Sequence, residues 1–438
     1  MNKRLIVLSI DSLQSNDLDF LFSLPNFSKI KNKMSVVKNL EEIYPTLTYP
    51  IHTTILTGVT PDKHGIYHNQ KFLIKNNDKD WNNIGSEWYW YKENIKVPTI
   101  IDYIAEANKT FATICWPVTA GDKRGINVPE IWPEDKLNTS SKELFEKASS
   151  DNVFKKYFDS YISKFKWNNN DDLVRFTPEI ALDILKNDKP EILFCHIIWL
   201  DSIRHLYGTK GIEVTDCLRQ LDCLFGRFIE ITKDNSLYED TNFVILGDHG
   251  QIDIKHIFNL NALFVNNNLI ELDENNKPKD YIAYSFSAGF STQIFLKNPE
   301  NENDLKKVYE ILNKLKNEYP EYIEKIYTKD EVEKLENLSG DFSFIIEGRL
   351  GTYFGSKYSG KIIINKGDKE YYIYSATHGH SVSKGPKPPL IAFGPSIKEN
   401  VVIENAKILD VCPTLANLCN VKMDNLMGKT LDIIKTNY

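Results

Sequence analysis

Three aspartates and three histidines stand where they could hold two metal ions. Asp201 and His205 lie four residues apart in DSIRH, so a helix running through them puts both on one face. One carboxylate and one imidazole at that spacing suit zinc, which takes oxygen and nitrogen ligands in small tetrahedral sets. Asp248-His249-Gly250 follows the apolar run FVILG, where a sharp exit would turn two adjacent side chains toward one cation. Asp11 closes the run LIVLSID, and His378 sits in THGH ahead of the apolar stretch PLIAFGP. Each has an ordinary explanation by itself: an aspartate caps a helix, DHG makes a turn, a loop histidine finds a local partner. Taken together they supply two sets of three ligands, and a two-metal centre spans only about 3.5–4 Å.

The surrounding sequence indicates how such residues would be brought together. LIVLSID, EILFCHIIWLD and FVILGD are short continuous apolar runs that end at Asp11, Asp201 and Asp248. Each reads as a fully buried strand of a parallel sheet covered on both faces. Helical spacing falls between them, in SKELFEKASSDNVFKKYFDSYISKF and at Val214, Leu218, Leu221, Phe225 and Phe228. The expected fold class is therefore α/β, a mostly parallel central sheet with helices on both faces, whose ligands bind beyond the carboxyl ends of the strands. After about residue 260 the alternation weakens. The stretch 280–374, with mixed strands and one clear helix in NDLKKVYEILNKLKNEY, reads as a smaller α+β cap inserted into a single catalytic domain spanning 1–438.

The chain has 438 residues, 42% of them hydrophobic, enough for a sizeable core. A formal net charge of −7 argues against nucleic-acid polymers and anionic membranes as partners and leaves a small phosphorylated ligand open. Leu5–Ile10 is too short an apolar run for a signal-peptide core or a membrane span. Six cysteines (Cys115, Cys195, Cys217, Cys223, Cys412, Cys419) lack any CxxC pairing, which points away from a disulfide framework and toward the cytoplasm.

The stretch YPTLTYPIHTTILTGVTPDKHGIYHN, residues 44–69, resembles the nucleophile region of the nucleotide pyrophosphatase/phosphodiesterases of the alkaline phosphatase superfamily. The matching residues are Thr48, Tyr49, Pro50 and His52, then Thr57-Gly58, His64-Gly65-Ile66 and Asn69. Asp11, the Asp201/His205 pair, Asp248 and His378 recur in the family's order. The resemblance implies an alkaline phosphatase-like fold and two divalent metal ions, usually zinc. One would be held by Asp201, His205 and His378, the other by Asp11, Asp248 and His249, with Thr48 as nucleophile contacting the second. It further implies that Asn69 binds a phosphoryl oxygen and that Tyr49 stacks on a base. The expected activity is hydrolysis of phosphodiester or pyrophosphate bonds in nucleotides through a phospho-threonine. A phosphonate hydrolase or phosphomonoesterase of the same superfamily and a non-catalytic nucleotide-binding protein are the alternatives.

A threonine hydroxyl needs activation to attack, and a cation supplies it. A helix beginning just after Pro50 would add backbone N–H donors for the phosphate. Thr46 is the second candidate nucleophile, while Thr53, Thr54, His52 and His64 read as structural. Three positions depart from the family pattern: Ile51 replaces an asparagine, Arg204 replaces a glycine, and THGH makes His380 a second candidate ligand ranked below His378. Arg204 would either face solvent or neutralise an additional substrate phosphate.

Overall fold

The computed structural model describes residues 3–73, 84, 87–131, 141–157, 161 and 170–435. At its centre are β1 (Arg4–Ile10), β2 (Met34–Glu41), β3 (Phe111–Ile114), β4 (Ile126–Val128), β5 (Ile192–Ile197) and β6 (Thr241–Leu246). With Leu390–Phe393 and Val401–Lys407 they form an eight-stranded sheet. β1 lies in the middle, parallel to β5 on one side and β6 on the other. Only Leu390–Phe393 runs against its neighbours, β2 and β6. Alternate residues of β1 enter different cores, Ile6, Leu8 and Ile10 one, Leu5 and Val7 the other. That period of two is why β1 reads as a continuous apolar run: helices cover both faces.

The helix Ile212–Asp234 packs its Val214, Leu218, Leu221, Phe225 and Phe228 stripe against one face. The helix Thr48–Thr57 lies on the other, with Ile51 and Ile55 in the core beside Leu415 of Val411–Cys419. Ile51, where an asparagine was expected, is thus a packing residue. The helical pattern from Ser141 forms helices Ser141–Ala148 and Asp151–Tyr157, and its residues 158–160 and 162–165 lie outside the described residues.

Beside the main sheet, Ala283–Ser287, Ser291–Leu296, Phe344–Gly348 and Ile323–Thr328 form an antiparallel sheet carrying the helix Glu302–Glu318. Its core also takes in Phe258, Leu263, Phe264 and Ile270, so this subdomain reaches back past residue 280. His256–Phe258 joins it by pairing with Thr352–Phe354 and Ile363–Asn365.

Candidate active site

The strand directions bring the six residues to one edge. Asp11 directly follows β1 and Asp248 lies just past β6. Asp201 is not at a strand end, as its apolar run implied, but in the first turn of the helix Trp199–Tyr207 after β5. His205 follows one turn later on that helix. Because Leu390–Phe393 runs the opposite way, its beginning lies where the other strands end, and His378 arrives upstream of it. Gly379 permits that approach, since at φ +82° an added Cβ would meet the Ala288 carbonyl oxygen at 1.6 Å. Gly250 of DHG is packed similarly, 2.1 Å from such a Cβ to the Pro386 oxygen.

Asp201, His205 and His378 place ligand atoms within 4.8 Å of one another. His205 Nε2 is 3.1 Å from Asp201 Oδ2 and His378 Nε2 is 4.0 Å from Asp201 Oδ1. Both histidines donate from Nδ1 to a backbone carbonyl, His205 to Ala376 and His378 to Thr46, each at 2.8 Å. Those bonds occupy Nδ1 and turn Nε2 of each ring toward Asp201. Gln251 donates to Asp201 Oδ1.

The second group centres on His249. Its Nε2 lies 3.1 Å from Thr48 Oγ1, 3.4 Å from Asp11 Oδ1 and 3.3 Å from Asp248 Oδ2. Asp11, Asp201 and His249 also have ligand atoms within 4.8 Å of one another, so Asp201 faces both groups. The His249 and His378 rings stack at 3.9 Å.

The electrostatics fit cations here. Burial, then Asp201 and Asp248, raises Asp11 well above the ordinary carboxylate range. Burial likewise lifts Asp248 to about 6. Burial would raise Asp201 too, but His205 and the neighbouring imidazoles outweigh it and hold Asp201 low. Burial lowers His249 to about 3 and His378 well below its usual value, favouring the neutral, ligating form. Asp11 Oδ1 and Asp248 Oδ2 are buried with no hydrogen-bond donor. Crowded carboxylates with unmet oxygens and neutral imidazoles are what a divalent cation satisfies.

Three residues supporting this arrangement escaped the sequence reading. His196, in β5 opposite Ser9 of β1, donates to Asp11 Oδ2 at 3.2 Å and so directs Oδ1 inward. Ser12 N and His249 N both donate to Asp248 Oδ1 at 2.9 Å, directing its Oδ2 inward too. Gln251, next after DHG, is the third. The available signal was a lone polar residue inside a strand otherwise wholly apolar, Ser9 in LIVLSI and His196 in ILFCHI.

The hydroxyl-rich stretch resolves into separate jobs. Thr53 and Thr57 bond back to the carbonyls of Tyr49 and Thr53, at 2.8 and 2.7 Å. Thr54 pairs with His64, 3.1 Å to its Nε2. Thr46 Oγ1 accepts from the N–H groups of Gly379 and His380, at 3.1 and 3.0 Å, and donates to the His380 carbonyl, so it is committed to holding the two loops together. His52 is buried beneath the site, donating from Nδ1 to the Thr48 carbonyl and accepting from Ser9 Oγ, both at 2.8 Å. Thr48 alone of these hydroxyls faces the His249 group.

Several expectations need correction. The helix starts at Thr48 rather than after Pro50. Tyr49 N donates to Asn69 Oδ1 at 2.9 Å and Pro50 has no N–H, so neither offers a backbone donor to a phosphate. That bond spends the Asn69 oxygen and leaves its NH₂ end to donate. Tyr49 is enclosed, its ring packed 5.3 Å from Trp88, so it presents no open face to a base. His380 Nδ1 bonds to the Ser381 carbonyl at 3.0 Å and its ring abuts Gly385, outside both ligand groups.

Arg204 neither faces solvent nor reaches a phosphate. It is fully buried, with Nη2 2.6 Å from Asp17 Oδ1 and Nη1 on the Ser12 carbonyl. Replacing Arg204 by methionine should leave Asp17 as an unpaired buried carboxylate and cost about 3–5 kcal/mol, read as a lowered urea midpoint. Activity per folded molecule should change little, and the further change Asp17→Asn should recover part of the loss. An unchanged midpoint would show that the pair is dispensable.

A protein-family model described as type I phosphodiesterase / nucleotide pyrophosphatase matches residues 5–381. Among curated relatives, human ectonucleotide pyrophosphatase/phosphodiesterase family member 1 is 26% identical over 231 residues, 52% of this chain and 21% of the relative. The chain spans only 21–34% of the length of the first such relatives. Human ectonucleotide pyrophosphatase / phosphodiesterase 5 shares the fold at TM-score 0.66 and 18% identity, with 99% of this chain and 100% of that one covered. The murine counterpart, solved in an inactive form in complex with AMP, superposes at TM-score 0.65 and 17% identity, with the same coverage. With the family match running from β1 through the loop that carries His378, this chain belongs to the type I phosphodiesterase / nucleotide pyrophosphatase family.

Proposed function

We propose that this chain hydrolyses phosphodiester or pyrophosphate bonds in nucleotides, with Thr48 as the attacking group. The observation that carries the reading is the position of Thr48 Oγ1, 3.1 Å from His249 Nε2 and therefore among the Asp11 and Asp248 carboxylates. Asp201, His205 and His378 would hold one ion and Asp11, Asp248 and His249 the other, with zinc the metal these donors suit. Bound there, two dications supply charge stabilisation for the phosphoryl oxygens and lower the pKa of an attacking hydroxyl.

The protein's own residues do the rest. Thr48 Oγ forms the new bond to phosphorus as the bond to the departing oxygen breaks, its proton ending on that oxygen, and gives a phospho-threonine that still carries the nucleoside. Water then breaks that ester, releasing a nucleoside monophosphate and restoring the hydroxyl. His52 anchors the Thr48 carbonyl to β1, which limits the helix's freedom to shift while the ester forms and breaks. The Asn69 NH₂, a neutral donor, suits the lower charge of a diester or pyrophosphate better than that of a monoester. The AMP bound to the murine neighbour supports a nucleotide as the substrate class.

Product analysis tests the reading. Metal-loaded protein with ATP should yield AMP and pyrophosphate, whereas ADP and inorganic phosphate would reassign it as a terminal phosphohydrolase. The cytoplasm is the compartment we propose, supported by six cysteines that are all free thiols. Recovery of the native protein from the extracellular fraction would contradict that placement.

A further inference from the structure

We infer that Tyr374 is a specificity-determining residue, an aromatic seat for the leaving half of the substrate, so that preferred substrates carry a ring on the departing group. The inference rests on the hydrolase reading above. Its starting point is a displaced role. Tyr49, beside the nucleophile, has its ring enclosed against Trp88 and is closed to a ligand. Tyr374 is an exposed aromatic against a proposed ligand: its ring is 4.7 Å from that of His205, and it is 48% exposed.

The backbone holds that ring in place from both sides. The following residue, Ser375, donates its N–H to the His205 carbonyl at 2.6 Å, and the Tyr374 carbonyl accepts from Tyr371 Oη at 2.6 Å. The Ala376 carbonyl accepts the hydrogen bond from His205 Nδ1, and Ala376 pairs with Asp253 in a short antiparallel bridge. Tyr374 therefore cannot drift away without disturbing a proposed ligand. Leu206 and Tyr207, which follow His205 on the helix, are exposed too, at 60% and 55%, but helical geometry turns them off the face that carries His205.

Position along the reaction axis identifies the occupant. In an in-line displacement the departing oxygen leaves on the side opposite the attacking one. Thr48 attacks from the His249 group, and Tyr49 and Asn69 lie on its side. Tyr374 adjoins the other group, Asp201, His205 and His378, and so faces the departing half. A ring there can lie over the tyrosine, an interaction that tolerates any base or aryl group because each has a π-face.

Two comparisons test this, one by turnover and one by binding. For p-nitrophenyl and methyl esters of thymidine 5′-monophosphate, Tyr374→Ala should lower kcat/KM about tenfold on the aryl ester and less than twofold on the methyl ester, with Tyr374→Phe retaining both rates. Equal losses on both esters, or none on either, would overturn the inference. In titration calorimetry on zinc-loaded protein, phenylphosphonate should bind about tenfold more tightly than methylphosphonate, and Tyr374→Ala should erase the difference. If neither ester turns over but that binding contrast holds, the hydrolase reading fails and the aromatic seat stands. If turnover is normal and the contrast is indifferent to Tyr374, the seat alone is wrong. A dimer in sedimentation that dissolves in Tyr374→Ala would assign the exposed ring to self-association and also overturn the inference.

Discussion

Thr48→Ala is expected to reduce turnover of a nucleotide diester by on the order of a thousandfold or more, with the fold and metal content nearly unchanged. The size follows from chemistry. Without the Oγ there is no atom to form the phospho-threonine, and what remains is positioning and charge around the phosphate. Stability should suffer little, because the change removes one hydroxyl whose visible partner is His249 Nε2, a bond worth about 1 kcal/mol. Thr46 cannot substitute, since its hydroxyl already serves Gly379 and His380. Steady-state rates beside circular dichroism and metal analysis check this. Near wild-type turnover in Thr48→Ala would remove Thr48 from the mechanism.

The second large effect is expected at Asp201. Asp201→Asn should lower bound zinc from two ions per chain toward one or fewer after dialysis, and bring diester hydrolysis down by at least about a hundredfold. Asp201 is the carboxylate shared by both ligand groups, within reach of His205, His378 and His249. Its charge also holds His205, whose own burial would lower it, above the usual imidazole value. Losing that charge removes a ligand and unbalances the remaining imidazoles together. Metal content by mass spectrometry decides the matter: retention of two ions would mean that Asp201 is not a required ligand.

How much of this was readable from residues alone depended on the distance over which each feature is determined. The catalytic edge was visible because Asp11 and Asp248 each end a continuous apolar run, and such runs are produced by local burial on both faces. The helix Ile212–Asp234 was visible through its own 3.6-residue stripe. Asp201 was placed at a strand end because Ile198, Trp199 and Leu200 extend an apolar run that in space has already turned into helix. Features set by partners far along the chain were hidden. Arg204 is buried only because Asp17 and Ser12 come to meet it, and nothing near DSIRH indicates that. Tyr49 is closed by Trp88, and His196 looks like any core histidine until β5 lies beside β1. The accessory subdomain's reach back to Phe258 depended on a second small sheet, in which His256–Phe258 pairs with Thr352–Phe354, almost a hundred residues on.

Metal-dependent hydrolysis of a nucleotide diester is the central claim, and one pair of initial rates bears on it most directly. Zinc-loaded protein would be given p-nitrophenyl thymidine 5′-monophosphate and, separately, p-nitrophenyl phosphate, with a chelated sample as control. The account predicts a strong preference for the diester that disappears on chelation. Preference for the monoester, or a diester rate indifferent to chelation, would contradict it.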